Sequence, residues 1–134
     1  MIRFFADTFY FIALLSKDDT AHEVALLYAQ SAEVEIVTTS WVLAEVGNAF
    51  AEPPRRALFV KLLQQLKSAP RATVIPASQD LFDQGADLYS RRHDKEWSLT
   101  DCISFVVMER NGSEEALTGD RHFTQAGFKA LLLA

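Results

Sequence analysis

The sequence predicts an α/β protein: a three-layer α/β/α sandwich with a central parallel sheet. Three observations lead there. Short apolar runs of strand length alternate with longer amphipathic segments, the pattern of strands joined by helices. Strands joined in that way pair in parallel through right-handed crossovers. The 134 residues are 49% hydrophobic and 23% charged, with no repeat, low-complexity tract or linker, which is the profile of one domain (1–134) with its own core.

The elements follow in order. Ile2 to Ala6 reads as a first strand ending at Asp7, and a short helix comes next. Thr20 and Glu23 have the spacing of a capping box, opening a helix whose apolar face includes Val24, Leu27 and Tyr28. Glu35 to Thr38 is a second strand. Ser40 is placed to cap a helix from about Trp41 to Ala51, stopped by Pro53 and Pro54, which also suit the start of a helix from Arg55 to Lys67. These two helices suggest a protruding clip, whose apolar residues Phe50, Phe59 and Leu63 suit an exposed contact surface or the core equally. Ala72 to Ile75 is a third strand, and Ser78 opens a helix ending near Arg92. The polar stretch from His93 to Trp97 is a loop. Ser98, with Asp101 three residues on, caps a helix whose body is Cys102 to Glu109. Ala116 to Thr118 is a short strand leading to Gly119 and Asp120, and Lys129 to Leu133 closes the chain as an edge strand.

The apolar beginning is interrupted by Asp7 and preceded only by Arg3, so it reads as a strand running into a helix rather than a signal peptide. No stretch approaches the roughly 20 uninterrupted apolar residues needed to span a bilayer. The single cysteine, Cys102, lies in an apolar run and cannot form an internal disulfide, so a soluble cytoplasmic protein with no membrane association is expected. The net charge of −5 argues against binding nucleic acid by broad electrostatic attraction. It leaves room for a nuclease whose clustered carboxylates are offset by metal ions.

Four acids carry the chemistry. Asp7 and Asp120 follow strands, and ligands of parallel sheets bind beyond the carboxyl ends of the strands. Glu45 lies one turn into a helix and Asp101 in the first turn of another. Singly, each is an ordinary cap, turn or surface acid. However, Glu45 is embedded in the apolar stretch from Trp41 to Phe50, and Asp101 abuts the run from Cys102 to Val107, where an unassigned charge is costly. No Lys or Arg stands beside either helix position. Two carboxylates about 5 Å apart repel by roughly 3 kcal/mol at an effective dielectric near 20, and a divalent cation removes that repulsion. All-oxygen ligation suits magnesium (Mg2+) or manganese (Mn2+), whereas zinc would draw on His or Cys. His22, His93 and His122 show no metal-ligand spacing and read as surface or packing residues.

Four motifs then stand together: Asp7 and Thr8 after the first strand, Glu45 between Ala44 and Val46, Trp97-Ser98-Leu99-Thr100-Asp101-Cys102, and Leu117-Thr118-Gly119-Asp120-Arg121-His122-Phe123. In order and spacing they resemble, over essentially the whole chain, the PIN-domain nucleases, and particularly the VapC-type toxins of toxin–antitoxin pairs. The resemblance implies a metal-dependent ribonuclease hydrolysing RNA phosphodiester bonds. By the same resemblance, Asp7, Asp101 and Asp120 match the metal-binding acids, Glu45 matches the helical acid that binds metal directly or through water, and all four are catalytic. Thr8 matches a supporting hydroxyl. It further implies a small antitoxin partner covering the cleft, and a homodimer.

The expected reaction is in-line attack of water on a phosphodiester, leaving a 5′-phosphate and a 3′-hydroxyl, with Glu45 orienting the water. Arg91, Arg92, His93 and Lys95 form the densest basic group, just before Asp101, and Arg121 flanks Asp120. These are the expected RNA contacts, although Arg91 and Arg92 also suit a helix C-terminus. Trp97 reads first as a packed loop anchor. Aspartyl-phosphate enzymes are excluded: a haloacid-dehalogenase-like site would need an acid where Phe9 stands, and a receiver domain an acid after Ile75, where Pro76, Ala77 and Ser78 offer none. The remaining alternative is a catalytically silent module of the same fold that binds RNA or protein.

Overall fold

A computed structural model describes residues 1–133; Ala134 lies outside the described residues. Five strands form one sheet in the order β3-β2-β1-β4-β5, with every pairing parallel. They are β1 (Ile2–Ala6), β2 (Val34–Thr39), β3 (Ala72–Ile75), β4 (Glu115–Leu117) and β5 (Lys129–Ala130). The helices are α1 (Thr8–Leu15), α2 (His22–Gln30), α3 (Ser40–Ala49), α4 (Arg56–Ser68), α5 (Gln79–Arg91), α6 (Leu99–Arg110) and α7 (Arg121–Gln125).

The order explains the layers. From β1 the chain steps outward to β2 and β3, and right-handed crossovers then put α1 to α4 on one face. After β3 it returns past β1 to β4 and β5, stepping the other way, so α5, α6 and α7 cover the opposite face. The packing agrees: α1 meets α2 and α3, while α5 packs on α6 and α6 on α7. The direction reverses between β1 and β4, and that switch point is where an open parallel sheet leaves a crevice at its carboxyl end. Asp7 and Asp120 are the residues that emerge there. The three-layer sandwich read from the sequence is the fold of the molecule.

β1 is central because its last three residues, Phe4, Phe5 and Ala6, are buried. Beneath α6, Phe105 stacks edge-on against Trp97 and Phe123, binding the loop before α6 and the short α7 into the core. Among the described residues, no helix is long and apolar enough to cross a membrane.

Several local expectations are corrected. Thr39, not Ser40, caps α3, its side chain accepting the Val42 N–H at 3.2 Å. Thr20 caps nothing: Ala21 occupies the cap position of α2, and the Asp19 carboxylate accepts the Ala21 N–H at 2.9 Å, so an aspartate turn has displaced the capping box. Val24 and Leu27 are exposed, and Ala25 is the buried residue of α2. Of the clip residues that suited surface or core equally, Phe50 is a core residue and Phe59 and Leu63 pack against the core. The closing strand is only two residues long, and α7, a helix of five residues, was not anticipated.

Candidate active site

The crevice is built from strand ends and helix starts. Asp7 is the N-cap residue of α1, yet its side chain makes no capping bond there. It accepts the Thr118 hydroxyl instead, at 2.8 Å, which ties the end of β1 to the end of β4. Asp7 is buried, and its pKa is raised to about 7, first by burial and then by the neighbouring Asp101 and Asp120, with the Thr118 hydroxyl and the Thr8 N–H opposing.

Asp101 completes the capping box of α6: the Ser98 hydroxyl accepts its N–H at 3.0 Å, and its Oδ2 accepts the Ser98 N–H at 3.2 Å. The box does not use up the carboxylate, since Asp101 also lies close enough to Asp120 to feel its charge. Burial, then Asp120, pushes its pKa up. Asp120 caps α7 by accepting the His122 N–H at 2.9 Å, while its own N–H is donated to Thr118 Oγ1 at 3.1 Å. Thr118 thereby fixes two of the acids at once. Gly119 between them admits the ring of Phe9, which would stand 2.4 Å from any Cβ at that position.

Glu45 is held on α3 by the Thr8 hydroxyl, donated to its Oε1 at 2.7 Å. The partner that a half-buried carboxylate needs is thus a hydroxyl from the first turn of α1. The structure brings Asp7, Asp101 and Asp120 together, with Glu45 joined through Thr8. It also brings in a residue that sequence reasoning set aside. His122 Nδ1 lies 3.2 Å from Asp101 Oδ2 and 3.2 Å from Asp120 Oδ1. One ring nitrogen of His122 and one oxygen each of Asp101 and Asp120 fall within 4.8 Å of one another. The sequence signal was only that a histidine stands two residues after a strand-end acid. His22 is a packing residue, its Nδ1 2.8 Å from the Ala13 carbonyl.

Among the described residues, no Lys or Arg pairs with any of the four acids. Carboxylates gathered in one crevice, two of them buried and none paired with Lys or Arg, are the donor set of a divalent metal site, and the residues fit one. The basic group lies along the approach to α6. Arg91 pairs with Asp87 at 2.9 Å, and Arg92 binds both carboxylate oxygens of Asp94 while lying 4.9 Å from the Trp97 ring centre. Trp97 is buried and donates to Gln125 Oε1 at 3.0 Å, the loop anchor that the sequence suggested. Arg121 is exposed beside Asp120, and Lys95 is half-buried in the turn after Arg92. Cys102 is buried, with its thiol pKa pushed up by burial and by Asp101, as suits an inert packing residue.

Comparison with known proteins identifies the family and the fold. The family model for the PIN domain matches residues 4–129. The 23S rRNA-specific endonuclease VapC20 of Mycobacterium tuberculosis is 29% identical over 125 residues, covering 92% of this chain and 94% of the relative. The crystal structure of VapC20, described as a sarcin-ricin loop cleaving toxin, superimposes with a TM-score of 0.81 at 26% identity, over 93% of this chain and 95% of that one. VapBC2 from Rickettsia felis, solved with a promoter DNA fragment, shares the fold with a TM-score of 0.65 at 14% identity, over 96% and 97% of the two chains.

Proposed function

The chain belongs to the PIN-domain family, and on that premise we propose that it is a divalent-metal-dependent ribonuclease acting as a single domain, the toxin of a toxin–antitoxin pair. The observation that carries this is the meeting of Asp7, Asp101 and Asp120 at the β1–β4 switch point, with no Lys or Arg paired to them among the described residues and with Asp7 forced up to about 7. A protein that only bound RNA would gain nothing from buried carboxylates that repel phosphate. The rRNA endonuclease activity named for VapC20 supports structured RNA as the substrate class.

Asp7, Asp101 and Asp120 would hold magnesium or manganese, with Glu45 contributing directly or through water. Such a cation, when bound, supplies water activation and neutralises phosphate charge. Glu45, oriented by Thr8, holds the attacking water and receives its proton. Thr118 keeps Asp7 and Asp120 at fixed separation. Arg91, Arg92, Lys95 and Arg121 steer the RNA backbone along the rim. A homodimer and a small antitoxin that covers the acidic cleft complete the reading, and the exposed Val24 and Leu27 of α2 and Leu58 and Val60 of α4 supply apolar contact area.

The test is cleavage of structured RNA by metal-stripped protein. Activity should appear with magnesium or manganese, stop with a chelator, and be lost in Asp101→Asn. Cutting undiminished by chelation would overturn the proposal.

A further inference from the structure

His122 has no part in an all-carboxylate site, yet its ring lies inside the cleft. Two carboxylate oxygens, Asp101 Oδ2 and Asp120 Oδ1, stand at the same 3.2 Å from its Nδ1. An imidazole nitrogen carries either one proton or one lone pair. With the proton, Nδ1 satisfies one of the two anions and leaves the other facing it; without the proton, lone pairs converge. The oxygens are not waiting for this donor alone. Asp101 Oδ2 already accepts the Ser98 N–H at 3.2 Å, and Asp120 Oδ1 accepts the His122 N–H at 2.9 Å. Each retains lone-pair capacity beyond that bond.

The backbone that carries the ring is held as well: the His122 N–H bonds to Asp120 Oδ1, which ties the first turn of α7 to that carboxylate. The spacing is informative: neighbouring ligands of a six-coordinate ion with bonds of about 2.1 Å lie about 3.0 Å apart. Two such edges, both close to that length, meet at Nδ1.

Resting on the reading of this cleft as a divalent-cation site, we propose that His122 Nδ1 is a direct ligand of the cation, making a mixed nitrogen–oxygen site that favours manganese over magnesium. Magnesium is a hard ion held by oxygen, whereas imidazole adds affinity for the first-row transition ions. The nitrogen therefore discriminates between two ions that carboxylates alone would bind with less distinction. Asp101 and Asp120 supply the charge, and His122 supplies the preference.

Metal-stripped full-length protein is titrated with manganese alone and read by electron paramagnetic resonance, with the electron-spin-echo modulation of the bound ion reporting any directly coordinated nitrogen. The wild type should bind manganese with nitrogen modulation, and His122→Gln should bind it without. The variant should lose roughly tenfold or more in manganese affinity and about threefold or less in magnesium affinity, the latter measured by calorimetry. The wild-type spectrum alone decides the central point, so a variant that folds poorly leaves the proposal open to refutation. Bound manganese without nitrogen modulation in the wild type, or modulation that survives His122→Gln, would refute ligation by His122 and leave the metal-dependent ribonuclease standing. A wild type that binds neither ion would overturn the metal site itself and this inference with it.

Discussion

With its carboxyl buried at the end of β1 and two further carboxylates beside it, Asp7 titrates at about 7 in the folded protein against 3.8 as its ordinary value. The folded state therefore holds a proton that the unfolded chain has released across that interval. For a carboxyl with a raised folded pKa, the stability is complete below about pH 4 and is lost as pH rises through about 7. Burial is the leading cause, so solvent screens the effect little, and the loss at pH 8 is on the order of 4 kcal/mol. Asp101, shifted in the same direction, adds to the slope. Metal-free protein should accordingly show a falling urea midpoint between pH 4 and 8. Asp7→Asn, which reproduces the neutral form and can still accept the Thr118 hydroxyl, should flatten most of that fall and be the more stable of the two above pH 7. Identical pH profiles for the two proteins would place the charge of Asp7 in solvent rather than in a buried cleft.

The elements that carry these residues depend on close approach between α5 and α6. A Cβ at Gly85 would lie 2.3 Å from Ile103 Cγ1 and 3.2 Å from the Ile103 backbone, in the helix that presents Asp101. Alanine at that position would gain about 1 kcal/mol in helix propensity. Overpacking against a fully buried isoleucine costs about 1–3 kcal/mol, and backbone atoms behind it leave little room to yield. Gly85→Ala should therefore lower the unfolding free energy by about 1 kcal/mol in chemical denaturation; a more stable variant would show that α5 can slide. Elements of this kind were legible where the sequence pattern was strong. β1 and β3 match the predicted residues, and the capping box of Ser98 and Asp101 is present. Legibility ended where a local bond competed: Asp19 displaced Thr20 at the start of α2, and a one-turn helix such as α7 has no periodicity to read. Asp7, Asp101 and Asp120 were visible because each follows a strand or opens a helix, and Glu45 because it interrupts an apolar helical stretch. His122 was hidden because its place depends on how the turn after β4 folds back on α6, which no spacing within the chain records.

At the scale of the molecule, the topology puts the acids and the rim cations on opposite sides of the same problem. The chain carries a net charge of −5 and gathers carboxylates that no Lys or Arg pairs with, among the described residues, where a phosphodiester would have to sit, so RNA is repelled from the cleft unless cations lead it in. We propose that Arg91 and Arg92, at the end of α5 and leading into the loop toward Asp101, do so. Both are engaged in surface ion pairs, with Asp87 and Asp94, and the Arg92 guanidinium holds the Asp94 carboxyl down at about 2. Exposed pairs of this kind contribute little to folding and exchange readily for phosphate, so the pairing does not remove these arginines from a binding role. RNA binding should then weaken as salt rises, and Arg91→Ala with Arg92→Ala should flatten that dependence by about 1.5 in the slope of log K against log salt, the loss of two phosphate contacts to single-stranded or duplex RNA. The thermal stability of the double variant should stay close to that of the wild type. Fluorescence anisotropy with a catalytically inactive Asp101→Asn background measures binding without cleavage. A slope unchanged by the double substitution would return both arginines to the simpler role of closing α5 through its C-terminal dipole.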